Sequence, residues 1–393
     1  MIALGALVAL GGCESGGDGR PTAEDQAGLR PVNQSVFDSS EHPDLTELSD
    51  VVAGFFLPDN RLALVERSGI YMVDLSSGGG QAVGRDGDGP REFRYIGRAK
   101  RVPGGVLVSD VPRRRVSLIS YDGEFLRSQS VLDAEFQDFF GAYPVGVHPD
   151  GRIVFRDGIA EMGRDYEGRT WNPAMYVTVR DDGEPVMLAE ASGNEVYFGL
   201  RRSGDVVFGH RTFEATTADR LIIAETQRGV IAVLDWSGRE VAQIPLPEGV
   251  RVPDARTVGL QLLAEQWEQF FEQLRRLAAS GQIPASRANP AQSPVSRADF
   301  EDWPINEVAP TIDTLLTDFD ARLWARDYRL PGQDSATWRV WDMDRQELLF
   351  TARMDGEDIL LDAQGDLVLL RQIDELDVPR AVVTRLRAPS GES

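Results

Sequence analysis

The chain has 393 residues, enough for two or three average domains or for one large all-β domain. With 42% hydrophobic and 26% charged residues it can bury a sizeable core. Its 41 basic against 63 acidic residues give a net charge of −22, which argues against nucleic acid or an anionic membrane surface as the main partner, because either would repel the protein.

Residues 1–12 are apolar and small, a run too short to cross a bilayer, which needs about 20 residues. The length suits the hydrophobic part of a signal peptide. Leu10-Gly11-Gly12-Cys13 resembles the lipobox of bacterial lipoproteins, which implies lipidation at Cys13 and a membrane anchor outside the cytoplasm. Cys13 is the sole cysteine, so a disulfide framework and a thiolate zinc site are excluded. Residues 13–29, Gly- and acid-rich without periodicity, read as a flexible tether. Glu14 after the cysteine favours the outer membrane, by resemblance to enterobacterial sorting rules.

From residue 30 the chain reads as a single domain built from one repeated unit. A turn followed by a short apolar strand occurs six times, the first apolar positions being Leu62, Val106, Ile153, Leu221, Leu323 and Leu367. A second turn of Asp-x-x-Gly or Asp-Gly character, as at Asp74 to Gly78 or Asp235 to Gly238, follows most copies, with alternating strands on both sides. Each copy is thus a four-stranded antiparallel meander, and six copies predict an all-β, six-bladed β-propeller. The last copy lacks a fourth strand, which LRPVNQSVFD near the start can supply to close the ring.

The junction Gly84-Arg85-Asp86-Gly87-Asp88-Gly89-Pro90-Arg91-Glu92-Phe93, with the strands after it, resembles NHL-type propellers, especially six-bladed propeller lipoproteins of unassigned function. Arg91 replaces the glycine usual after that proline. The resemblance implies a fold and leaves the activity open.

Two spacings between copies, 68 and 102 residues, are too long for one blade and predict insertions at 158–173 and 252–308. The first carries Met162, Tyr166 and Trp171 and is expected as a flap. The second opens with apolar residues at helical spacing and predicts an amphipathic helix of about 20–25 residues between blades four and five. Its expected role is packing onto the propeller, with Trp267, Phe270, Phe271 and Arg275 as candidate partner-binding residues.

No nucleophile elbow, zinc-protease, P-loop or dinucleotide motif is present, and no cofactor is predicted. Asp86 and Asp88 are candidate ligands of Ca²⁺ or another divalent metal, but no bidentate acid stands at the right distance and a turn without metal is the simpler reading. His148 and His210 read as structural, and Trp324, Trp338 and Trp341 as core between blades. Lys100 is the only lysine, so arginine is the default surface cation and the blade arginines Arg98, Arg101, Arg113, Arg114, Arg115, Arg152, Arg156, Arg201 and Arg202 read as surface charge before an anion groove. The expected function is a lipid-anchored module binding an envelope protein, a peptide or a small ligand on the rim that bears the insertions. The alternative is a metal-dependent hydrolase or lactonase with its site at the central channel, as in some similar propellers.

Overall fold

The computed structural model describes residues 28–388, apart from 43–44, 46–47, 49, 131–141, 158–166, 181–183, 200–202, 280–283, 293–296 and 375–377. Six antiparallel sheets follow in chain order. Blades one and two span Val51–Val83 and Ile96–Ser130, and blade three spans Tyr143–Asp205 with a fifth strand. Blades four, five and six span Thr212–Pro245, Ser335–Asp342 with its neighbouring strands from Ile312 to Asp355, and Ile359–Arg387. The outermost strand of blade six is Arg30–Asp38, which pairs antiparallel with Pro379–Arg387 and closes the ring. The chain is a six-bladed β-propeller, as the repeats predict.

The turns explain why the repeats were legible. In three blades the Asp that opens the second turn accepts hydrogen bonds from backbone N–H groups two to four residues on: Asp74 from Ser76 and Ser77, Asp235 from Ser237 and Arg239, Asp342 from Asp344 and Arg345. This side chain satisfies donors that the tight reversal leaves over. At Asp235 the Ser237 hydroxyl first, then those backbone bonds, hold the carboxyl down at about 2.

The core is divided by junction. Six clusters of buried apolar side chains each join one pair of neighbouring blades, the sixth joining blade six to blade one through Phe37, Phe56, Leu369 and Val383. Trp324 and Trp338 fill the junction of blades five and six, and Trp341 that of blades four and five. A lone blade would leave both faces wet, so the blades stabilise one another only as a ring.

The innermost strands all run the same way, so the propeller has two distinct ends. Turns between first and second strands and between third and fourth strands lie at one, the turn end. Blade-to-blade connections and the loops between second and third strands lie at the other, the insertion end. The helix, Ala255–Ala279, sits in the connection between blades four and five and therefore at the insertion end. Its base is closed by Val250–Arg251 pairing with Val308–Ala309. No described helix is long and apolar enough to cross a membrane.

Blade three corrects the flap expected over 158–173. Met162 and Tyr166 lie outside the described residues, whereas Trp171 belongs to a 12-residue strand, Gly168–Val179, paired with Pro185–Phe198. The pair extends the blade at the insertion end, where Ser203–Asp205 adds the fifth strand.

Candidate sites at the channel and the insertion end

The axis of the ring encloses a cavity of about 440 Å³ lined by residues of all six blades. Pro103, Thr217, Ala218 and Ala321, which belong to first turns, are among them, so the cavity reaches the turn end. Much of its wall is apolar, including Phe55, Val147, Leu316 and Leu361.

Its charged residues come mainly from one strand, Ile96–Val102 of blade two. Alternation sends Arg98 and Lys100 to one face of that strand and Arg101 to the other. Arg101 forms an ion pair with Asp362 of blade six and donates to the carbonyls of Phe56 in blade one, at 3.4 Å, and Thr317 in blade five, at 3.5 Å. Blades two and five are opposite in a ring of six, so this side chain crosses the channel. Asp362 also accepts from the Phe56 N–H at 2.8 Å. Burial raises its carboxyl to about 7 despite the Arg101 charge beside it.

On the other face, Arg98 lies over the Tyr143 ring at 3.7 Å. The Tyr143 hydroxyl donates to Glu214 at 3.2 Å, and Glu214 is ion-paired with buried Arg156, which also donates to the Thr212 carbonyl at 3.0 Å. Burial first, then the Glu214 charge, pushes Tyr143 up to about 12. Lys100 is half-buried and makes no hydrogen bond or ion pair with a described residue. Burial lowers its pKa, partly opposed by the Glu214 charge.

At the insertion end the second insertion is fixed to the extension of blade three. Trp303 donates through Nε1 to the Asp205 carbonyl at 3.1 Å and meets Tyr197 edge-on at 5.1 Å. Asn306 donates to Glu195 at 2.9 Å and accepts from Arg169 at 2.6 Å, while Arg169 and Glu195 are themselves ion-paired. The helix rests on this base through buried Leu263 and half-buried Trp267, which meets Phe300 at 5.6 Å, and buried Phe271 packs on Trp267 at 4.7 Å. Phe270 is 51% exposed, and Arg275 lies on the outer face among Glu268 and Glu272. The four candidate partner-binding residues thus divide between anchoring, by Phe271 and Trp267, and display, by Phe270 and Arg275.

Cys13 lies outside the described residues, as do Arg201 and Arg202. Asp88 is held by Arg94 and Arg113, and Asp86 lies 3.8 Å from Arg94. These guanidiniums already balance the two candidate metal ligands. His148 is engaged with Asp150 and the edge of Trp236, and His210 with Thr226 and Trp171. Among the described residues no group of three or more His, Cys, Asp or Glu side chains is placed to hold a metal ion. Asp318 and Asp362, the carboxylates nearest the channel, are spent on Trp324 with Arg322 and on Arg101. Sequence reading did not find Glu214, Tyr143, Glu195 or Asn306, since none stands in a local motif.

No family model matches the chain, and no curated protein matches it. Among solved structures it is similar to a member of the DUF4221 family from Bacteroides vulgatus, at 11% identity and a TM-score of 0.46, over 91% of this chain and 95% of that one. It is also similar to the calcium-binding protein regucalcin from Agrobacterium tumefaciens, at 11% identity and a TM-score of 0.37, over 92% and 96% of the two chains. A streptogramin B lyase is similar at 11% identity and a TM-score of 0.37, over 87% and 84%. The blade count rests on the sheet topology described above.

Proposed function

We propose that this protein is an extracytoplasmic binding propeller, anchored by lipid at Cys13 to the cell envelope and presenting its insertion end to a protein partner. Glu14 favours the outer membrane as the site of attachment. The observation that carries the reading is the polarity of the molecule. Arg30 pairs with Arg387, and the neighbouring Leu386 N–H donates to the carbonyl of Asp366 in a first turn of blade six. The described chain therefore enters the ring at the turn end, while both insertions are fastened together at the opposite end. An anchor ahead of residue 28 would join the ring at the end opposite the helix. There the exposed Phe270 beside a charged helix face has the composition of a docking surface, an aromatic anchor with a polar rim.

The alternative, a metal-dependent hydrolase at the channel, has less support because the channel carboxylates are paired with cations and do not converge. The test is affinity capture from detergent-solubilised envelope with the full chain and with a Phe270→Ser, Arg275→Glu double variant. One partner is expected with the wild type and lost with the double variant. Absence of a partner, or capture indifferent to these changes, would overturn the reading.

A further inference from the structure

We propose that the central channel binds a small organic carboxylate, its head group at Lys100 and its apolar body against the channel wall. The inference is independent of the partner at the insertion end, because no residue of the helix or of the second insertion lines the cavity.

It rests first on charge balance. Lys100 and Arg101 line the channel, while Arg98 and Arg156 pack against the Tyr143 ring. Arg101 and Arg156 are matched by Asp362 and Glu214. Arg98 has only the face of Tyr143, and Lys100 makes no hydrogen bond or ion pair with a described residue, Glu214 favouring its charge without pairing with it. Two neighbouring cations thus share one face of one strand, each raising the cost of charging the other. This happens in a protein of net charge −22, where carboxylates to pair with them are abundant. A bound anion would relieve both the repulsion and the burial that depresses Lys100.

The second support is shape. A cavity of about 440 Å³, largely apolar with a few polar groups, is the usual build of a small-molecule site. Apolar walls at Phe55, Val147 and Leu361 call for a ligand with a hydrophobic body, which inorganic phosphate lacks. The third is the residue type. Of 41 basic residues 40 are arginine, and the one ammonium stands in the channel, where a compact point charge with rotatable donors fits an anion approached from the axis.

The single lysine makes the test direct. Full-length protein grown with ¹³Cε-lysine gives one lysine signal, which is followed during titration with benzoate, with benzyl alcohol as the uncharged analogue and inorganic phosphate as the anion without a body. A saturable shift with benzoate alone is expected. In calorimetry, Lys100→Met should weaken benzoate binding about tenfold or more, while Lys100→Arg, which keeps the charge but loses the compact ammonium, should weaken it clearly less than Lys100→Met. Circular dichroism confirms that both variants fold. No saturable shift, an equal response to either control, or wild-type affinity in Lys100→Met would overturn the proposal.

Discussion

Asp362 shows how one residue can carry opposite demands. It sits fully buried on the innermost strand of blade six, where desolvation disfavours its charge, yet it receives the guanidinium that crosses the channel. Its folded pKa of about 7 lies above the ordinary value of 3.8, so between those limits the folded protein keeps a proton that the unfolded chain has released. Stability must then fall as pH rises from about 4 to about 7 and level off above. Thermal unfolding across pH 4–8 should show this decline in the wild type and a flatter profile in Asp362→Asn. Parallel profiles would mean that Asp362 titrates normally. Nothing local in Leu361-Asp362-Ala363 announces this behaviour. Its partner lies 261 residues away, and only closing the ring brings them together.

Among the elements, the helix was legible and the blade-three extension was not, for different physical reasons. Helical spacing of Leu263, Trp267, Phe271 and their neighbours encodes a buried stripe wherever the helix lands, and it lands on Phe300 and Trp303. The strand Gly168–Val179 contains Pro173, which normally argues against a strand interior. The structure admits it because the register shifts between Asn172 and Ala174. Opposite the shift stands Gly193 at φ 77°, where an added Cβ would lie 1.6 Å from the Asn172 carbonyl oxygen. Gly193 also exchanges hydrogen bonds of 3.0 Å with the Thr212 side chain of blade four. Gly193→Ala should therefore destabilise the protein by more than about 1 kcal/mol, read as a lowered urea midpoint. An unchanged midpoint would show that the bulge is not needed.

For the whole molecule, architecture could be read because it is periodic, and the channel could not because it is assembled from six distant strands. Leu62, Val106, Ile153, Leu221 and Leu323 mark second strands and are buried as the repeat requires. The lysine count was visible from the start, but its meaning depends on where alternation along Ile96–Val102 points it. The closing strand Arg30–Asp38 was also legible, as an alternating segment left over beside a blade one strand short. It buries Phe37 at the last junction, and its Val32 carbonyl accepts from Thr384 at 2.7 Å. Deleting residues 1–38 should lower the melting temperature by roughly 5 °C or more and expose a sheet edge, whereas deleting 1–27 should change it by about 1 °C or less. Equal melting temperatures for the two truncations would show that the ring holds without its seam.

That seam also decides how the ring bears load. Any pull on the chain ahead of Leu29 reaches the propeller through the Leu29 bridge to blade five and the start of the closing strand. A force directed outward from the ring would detach the strand one hydrogen bond at a time, beginning at Arg30, whereas a force along the strand would strain all of its bonds together. The same closure that is cooperative towards heat is then directional towards tension, weak to peeling and strong to shear.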